Sequence, residues 1–140
     1  IHMDKIIGVN FPVREYKYST FVILSSLLFL IPTVVFALNK EYLIAIAIAL
    51  SCFFSVLGDS IFPNTKIYNI YDRFVATLLT FILIVRHFSL HKNPEVIFLV
   101  KLIFPLCMYK YSSLATTQEE WEIRHSLWHI SAVFVFLSEV

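Results

Sequence analysis

The feature that most constrains this chain is a series of long apolar runs separated by short polar turns. Crossing a hydrocarbon core takes roughly 20 apolar residues per helix, somewhat fewer where the ends snorkel. Residues 20–38, 41–57, 67–85, 94–111 and 124–140 each approach that length. With 59% hydrophobic and 15% charged residues and a mean hydropathy of +0.78, the 140-residue chain carries more apolar surface than one small soluble domain can enclose. The expectation is an all-α integral-membrane bundle of five transmembrane helices, forming a single domain over residues 20–140.

Local signals set the boundaries. Pro32 predicts a kink in the first run. The second ends in Gly58-Asp59, ahead of the breaker Pro63-Asn64. The third opens on Asp72-Arg73 and closes on Arg86-His87, and the fourth has Pro94 in its first turn, Lys101 inside it and Pro105 as an interruption. Thr117-Gln118-Glu119-Glu120 fits a capping box, which starts the last helix near Gln118.

Upstream, residues 4–19 mix Arg14, Lys17, Tyr16 and Tyr18 with apolar positions and read as an interfacial segment. Ile1-His2-Met3 reads as a cloning scar and start Met, and no cleavage pattern marks a signal peptide. Cys52 and Cys107 lie in apolar runs and are expected as reduced core residues. A net charge of +1 implies no nucleic-acid surface.

Basic residues orient the bundle. With the N-terminus in the cytoplasm, that side receives Lys5, Arg14, Lys17, Lys66, Arg73, Lys110 and Arg124, against Lys40, Arg86 and Lys92 on the other, an N-in, C-out arrangement. Five alternating passes then bring the end of the second helix and the starts of the third and fifth to one depth. Those places hold Ser55 and Asp59, Asp72, and His125 and His129.

Positions i and i+4 of a helix share a face, so His125 and His129 can offer two imidazole nitrogens to one ion. Two histidines and a carboxylate form a ligand set for catalytic zinc, with Asp59 as the third ligand and a place left for water. Zinc lowers the pKa of a bound water toward about 7. Asp72 is then the candidate general base, and Ser55, one turn before Asp59, the candidate hydrogen-bond donor to a ligand or oxyanion.

Plainer readings stand beside these. The histidine pair could sit among headgroups with Trp121 and Trp128, Asp59 could terminate its helix, Asp72 could pair with Arg73 or Lys66, and Ser55 could bond its own backbone. His87 and His91, also four apart, read as an interfacial pair with no carboxylate near except Glu95, and Lys101 finds no partner in the sequence.

"HSLWHI" on the last helix, after an aromatic and acidic stretch, with a serine near the end of an early helix and an aspartate opening the next, resembles the CREST superfamily of membrane hydrolases. That group includes alkaline ceramidases, adiponectin and progestin receptors, GPI-remodelling phospholipases and myomaker. The resemblance implies a seven-helix fold with zinc held by three histidines, two on the last helix and one four residues after the serine. His125 and His129 match the first two places; the third holds Asp59. Five runs in place of seven imply a missing helix pair and a groove that lipid, or a second copy of the chain, would fill. Two functions follow as expectations: a zinc-dependent hydrolase of a lipid amide or ester, or a non-catalytic membrane protein in which the same cluster is a structural metal or hydrogen-bonded staple. A transporter fits less well, because the ionisable residues gather at one end.

Overall fold

The computed structural model describes residues 18–91 and 95–140. Residues 1–17 and 92–94, which include the expected cloning scar, most of the expected interfacial segment, Lys92 and Pro94, lie outside the described residues. The architecture is all-helical: α1 (Thr20–Leu27), α2 (Leu30–Leu38), α3 (Tyr42–Val56), a π-helical segment (Leu57–Ile61), α4 (Lys66–Leu90), α5 (Val96–Ser113) and α6 (Gln118–Ser138).

The first apolar run is two helices because of Pro32. Its ring cannot donate and crowds the carbonyl four residues earlier, that of Leu28, so the chain tightens there into three-residue steps: Phe29 N–H to Ser26 C=O at 3.1 Å and Ile31 N–H to Leu28 C=O at 3.1 Å. At the end of α2, Lys40 sits at φ 61°, a left-handed position more often given to glycine. Glu41 N–H reaches Phe36 C=O at 2.9 Å and Lys40 N–H reaches Ala37 C=O at 3.0 Å, the paired bonds of a Schellman turn. That turn sends the chain back into α3.

The second helix does not stop at Gly58-Asp59 as its sequence suggests. It widens into the π segment and ends at Ile61, with Gly58, Asp59 and Ser60 all buried. Gly58 is required there: a Cβ would lie 3.0 Å from the Tyr68 carbonyl oxygen and 3.4 Å from Asp72 Cβ, so only glycine lets the segment press against α4. The capping box on α6 forms with a variation. Thr117 Oγ accepts from Glu120 N–H at 3.1 Å, and the Glu120 carboxylate reaches back to Thr116 N–H at 3.1 Å, one residue earlier than the usual partner.

Four segments are long and apolar enough to cross a membrane: Thr20–Leu38, Tyr42–Ile61, Lys66–Leu90 and Val96–Ser113. α6 is 21 residues long but carries Glu119, Glu120, Glu122, Arg124 and His125 in its first half and His129 just beyond its middle, which lowers its hydropathy. The outward surface is apolar, with Phe21, Leu43, Phe74, Phe81, Phe104 and Phe134 all exposed. This is the inverse of a soluble bundle and matches a hydrocarbon surround. Cys52 is buried as expected, but Cys107 faces outward on α5.

In space the helices form an arc. α4 packs on α3, α3 on α1 and α2, α1 and α2 on α6, and α6 on α5. The central core is Phe36, Ile44, Ile48, Leu79, Leu83 and Phe136. α4 and α5 close the arc only through side chains near their ends, His87 on Phe98 and Arg73 on Tyr109, and between them lies a cleft of about 500 Å³ floored by α3 and α6.

Candidate metal centre

Asp59, His125 and His129 offer ligand atoms that all lie within 4.8 Å of one another, and all three are buried. His125 Nε2 is 2.8 Å and His129 Nε2 3.5 Å from the same oxygen, Asp59 Oδ2. Helical spacing stacks the two rings on one face of α6, 4.6 Å apart between centroids, and the π segment turns Asp59 to meet them.

Ser55 joins the three. Its hydroxyl donates to Asp59 Oδ2 at 3.1 Å and lies 3.2 Å from His129 Nε2 and 3.0 Å from Ser26 Oγ. Asp59 is therefore no helix terminator, and the histidines do not sit among headgroups. His125 and His129 are 0% and 1% exposed, wedged among Trp121, Trp128 and Phe29.

The far nitrogens are also held. His129 Nδ1 is 2.8 Å from Ser25 Oγ and 3.4 Å from Ser26 Oγ, and His125 Nδ1 is 3.1 Å from Ser112 Oγ. Both Ser25 and Ser26 already donate to the Val22 carbonyl, at 2.8 and 3.0 Å. A hydroxyl has one proton, so with Ser25 donating to Val22 its oxygen accepts from His129 Nδ1–H, the tautomer that puts the lone pair of His129 on Nε2, facing Asp59 and Ser55. A lone pair and a carboxylate oxygen facing each other at 3.5 Å in a buried site attract a cation. The donor set, with its outer nitrogen fixed by a hydroxyl, fits a zinc-class ion.

Ser25, Ser26 and Ser112 were not singled out in the sequence. The only sequence signal was the Ser25-Ser26 pair inside an otherwise apolar run.

Asp72 is buried on α4 and pairs with Arg73 Nη1 at 3.3 Å. The Arg73 guanidinium lies 4.7 Å from the Tyr109 ring and 5.4 Å from the Trp128 ring. Asp72, Ser55 and His129 all line the cleft between α4 and α5, so the cleft reaches the metal-type cluster.

The opposite end of the bundle differs from expectation. His87 is not interfacial: it is buried, its ring stacks on Phe98 at 3.6 Å and 1°, and its Nδ1 is 2.8 Å from Glu139 Oε2. Lys101 has a partner in the same carboxylate, at 3.2 Å from Glu139 Oε1. Arg86 bonds both oxygens of Glu41, at 2.5 and 2.8 Å, and the Glu139 carbonyl at 2.6 Å. The ionisable residues thus collect at both ends, with an apolar middle. Comparison with protein families, with curated proteins and with solved structures finds no match for this chain.

Proposed function

We propose that this chain is a metal-dependent hydrolase embedded in the membrane, acting on a lipid amide or ester. The observation that carries this reading is the convergence of His125 and His129 Nε2 on Asp59 Oδ2, beside a cleft that opens between apolar helices. Asp59, His125 and His129 would hold the ion; zinc would supply a Lewis acid and an activated water at neutral pH.

The remaining steps belong to the chain's own side chains. Ser55, within 3.2 Å of both His129 and Asp59, orients the ligands, and turning its one proton away from Asp59 would offer it to a developing oxyanion. Asp72, on the cleft wall, takes and returns the proton, and Arg73 beside it fixes the carboxylate. The cleft walls hold the acyl part of the substrate away from water.

The same reading makes α6 a fifth span, because its polar residues turn inward: Trp121, His125 and His129 are buried while Ile123, Leu127 and Phe134 face out. It keeps the N-in, C-out orientation and treats the chain as a shortened relative of the CREST hydrolases, with Asp59 in place of a histidine. The partner is membrane lipid, and the cleft leaves room for a second copy of the chain to cover its side.

A second reading is favoured by one feature. His125 Nε2–H donating to Asp59 at 2.8 Å, with Ser55 and Ser26 beside them, is also a connected hydrogen-bond network that would staple α1, α3, the π segment and α6 without any ion. The deciding experiment measures metal in the purified protein and fatty-acid release from a panel of ceramides, acyl amides and phospholipids, before and after chelation and zinc replacement. Metal-dependent release supports the hydrolase; a metal-free, inactive protein of full stability supports the staple.

A further inference from the structure

The cleft has a definite length. Its reacting end is marked by Ser55, Asp72 and His129, and its other end by Lys101 and Leu83. Along α5 from Lys110 to Lys101, and along α4 from Asp72 to Leu83, the walls run about 14–17 Å at the rise of an α-helix, the reach of an extended acyl chain of about twelve carbons. Between the ends the lining is mostly apolar, with Leu79, Leu102, Leu106, Ala132 and Val135, and the two α4 threonines there, Thr77 and Thr80, turn their hydroxyls to carbonyls of their own helix. The flanking outer surface is Phe81, Ile103 and Phe104, so at mid-depth the cleft opens on hydrocarbon. A volume of about 500 Å³ suits one chain.

We propose that Lys101, tethered by Glu139, is the end wall of an acyl-chain cleft and sets the length of chain accepted; the assignment of the reacting end rests on the hydrolase reading above. Lys101 lines the cleft, and its ammonium is held 3.2 Å from Glu139 Oε1. The other Glu139 oxygen is taken by His87 Nδ1 at 2.8 Å, and the Glu139 carbonyl by Arg86 at 2.6 Å. The wall is therefore anchored to α4, to α5 and to the end of α6 together. A longer chain would have to part an ion pair whose carboxylate is 4% exposed and whose lysine side chain is 28% exposed. Breaking such a pair strands a charge in a medium that solvates it poorly.

The test reads binding and not turnover. Purified full-length protein in non-ionic detergent is offered an equimolar mixture of saturated fatty acids of eight to twenty carbons, and native mass spectrometry records which are retained. The wild type should favour a chain of about twelve carbons and fall off above it. Lys101→Ala should move the maximum up by about four carbons, the length of the lysine stem. Lys101→Arg, which restores the pairing with Glu139, should return the wild-type profile. Thr80→Trp, at an exposed position on the cleft wall, should move the maximum down and does not depend on the ion pair folding correctly.

Retention of all lengths alike by the wild type, or one profile shared by the wild type, Lys101→Ala and Thr80→Trp, overturns the proposal. A sharp length limit in a protein that releases no product keeps the wall and removes the hydrolase. Turnover indifferent to chain length does the reverse.

Discussion

The hydroxyl of Ser25 lies 2.8 Å from Nδ1 of His129, across 104 positions of sequence. When that hydroxyl donates to Val22, as its 2.8 Å contact there allows, it accepts from the imidazole, and the ring turns its lone pair to the side of Asp59. An outer partner that fixes a ligand's tautomer is a recurrent feature of zinc sites.

Removal of that partner should loosen the ion without losing it. Ser25→Ala and Ser112→Ala are expected to lower zinc affinity by about 10–100-fold, the usual effect of an outer-shell partner, while the helical content is unchanged. Competition with a zinc chelator measures this. Affinity equal to wild type in both variants would show that the hydroxyls orient nothing.

Loss of a ligand should be more severe. Purified protein is expected to hold about one zinc per chain, and His125→Ala or His129→Ala to lose it. His87→Ala is the contrast at the other end of the bundle: metal content should stay the same, while stability falls by about 1–3 kcal/mol because Glu139 loses one of its side-chain partners and Phe98 its stacked ring. Elemental analysis with thermal unfolding separates the two ends, and stoichiometric zinc in the doubly substituted His125/His129 protein would refute the site.

Asp59 can be tested by substitution in both directions. Asp59→His should preserve or raise zinc affinity by supplying a third imidazole, and Asp59→Ala should weaken it sharply. If all three proteins bind zinc equally, Asp59 holds the histidines together and does not touch the ion.

Asp72 should separate binding from chemistry. Asp72→Asn keeps the shape of the side chain beside Arg73, so metal content should be retained while the release of fatty acid falls by about 10²–10⁴-fold, the range of general acid–base help. Unchanged turnover would move the proton-handling role to another group.

The sequence by itself determined the features that depend on near neighbours. Apolar runs as long as a bilayer is thick specify helices and their surround, the Thr117–Glu120 spacing specifies where α6 begins, and a four-residue interval puts His125 and His129 on one face. Reading the runs as alternating passes was enough to expect Asp59 at the same end as the histidines, because two successive reversals return a chain to the side it left, and the packing then brought them into contact.

What the tertiary structure alone decided involves residues whose sequence signal is ambiguous. A serine in a membrane helix bonds its own backbone as readily as a neighbour, and Ser25 does both, so its role at His129 follows from packing. Lys101, His87 and Glu139 belong to three separate segments, and a buried charge finds whichever opposite charge the packing delivers. The π turn at Asp59 and the gap between α4 and α5 were also unreadable. Both come from how closely whole helices approach, which Gly58 permits on one side of the arc and which the other side limits to contacts near the helix ends, His87 on Phe98 and Arg73 on Tyr109.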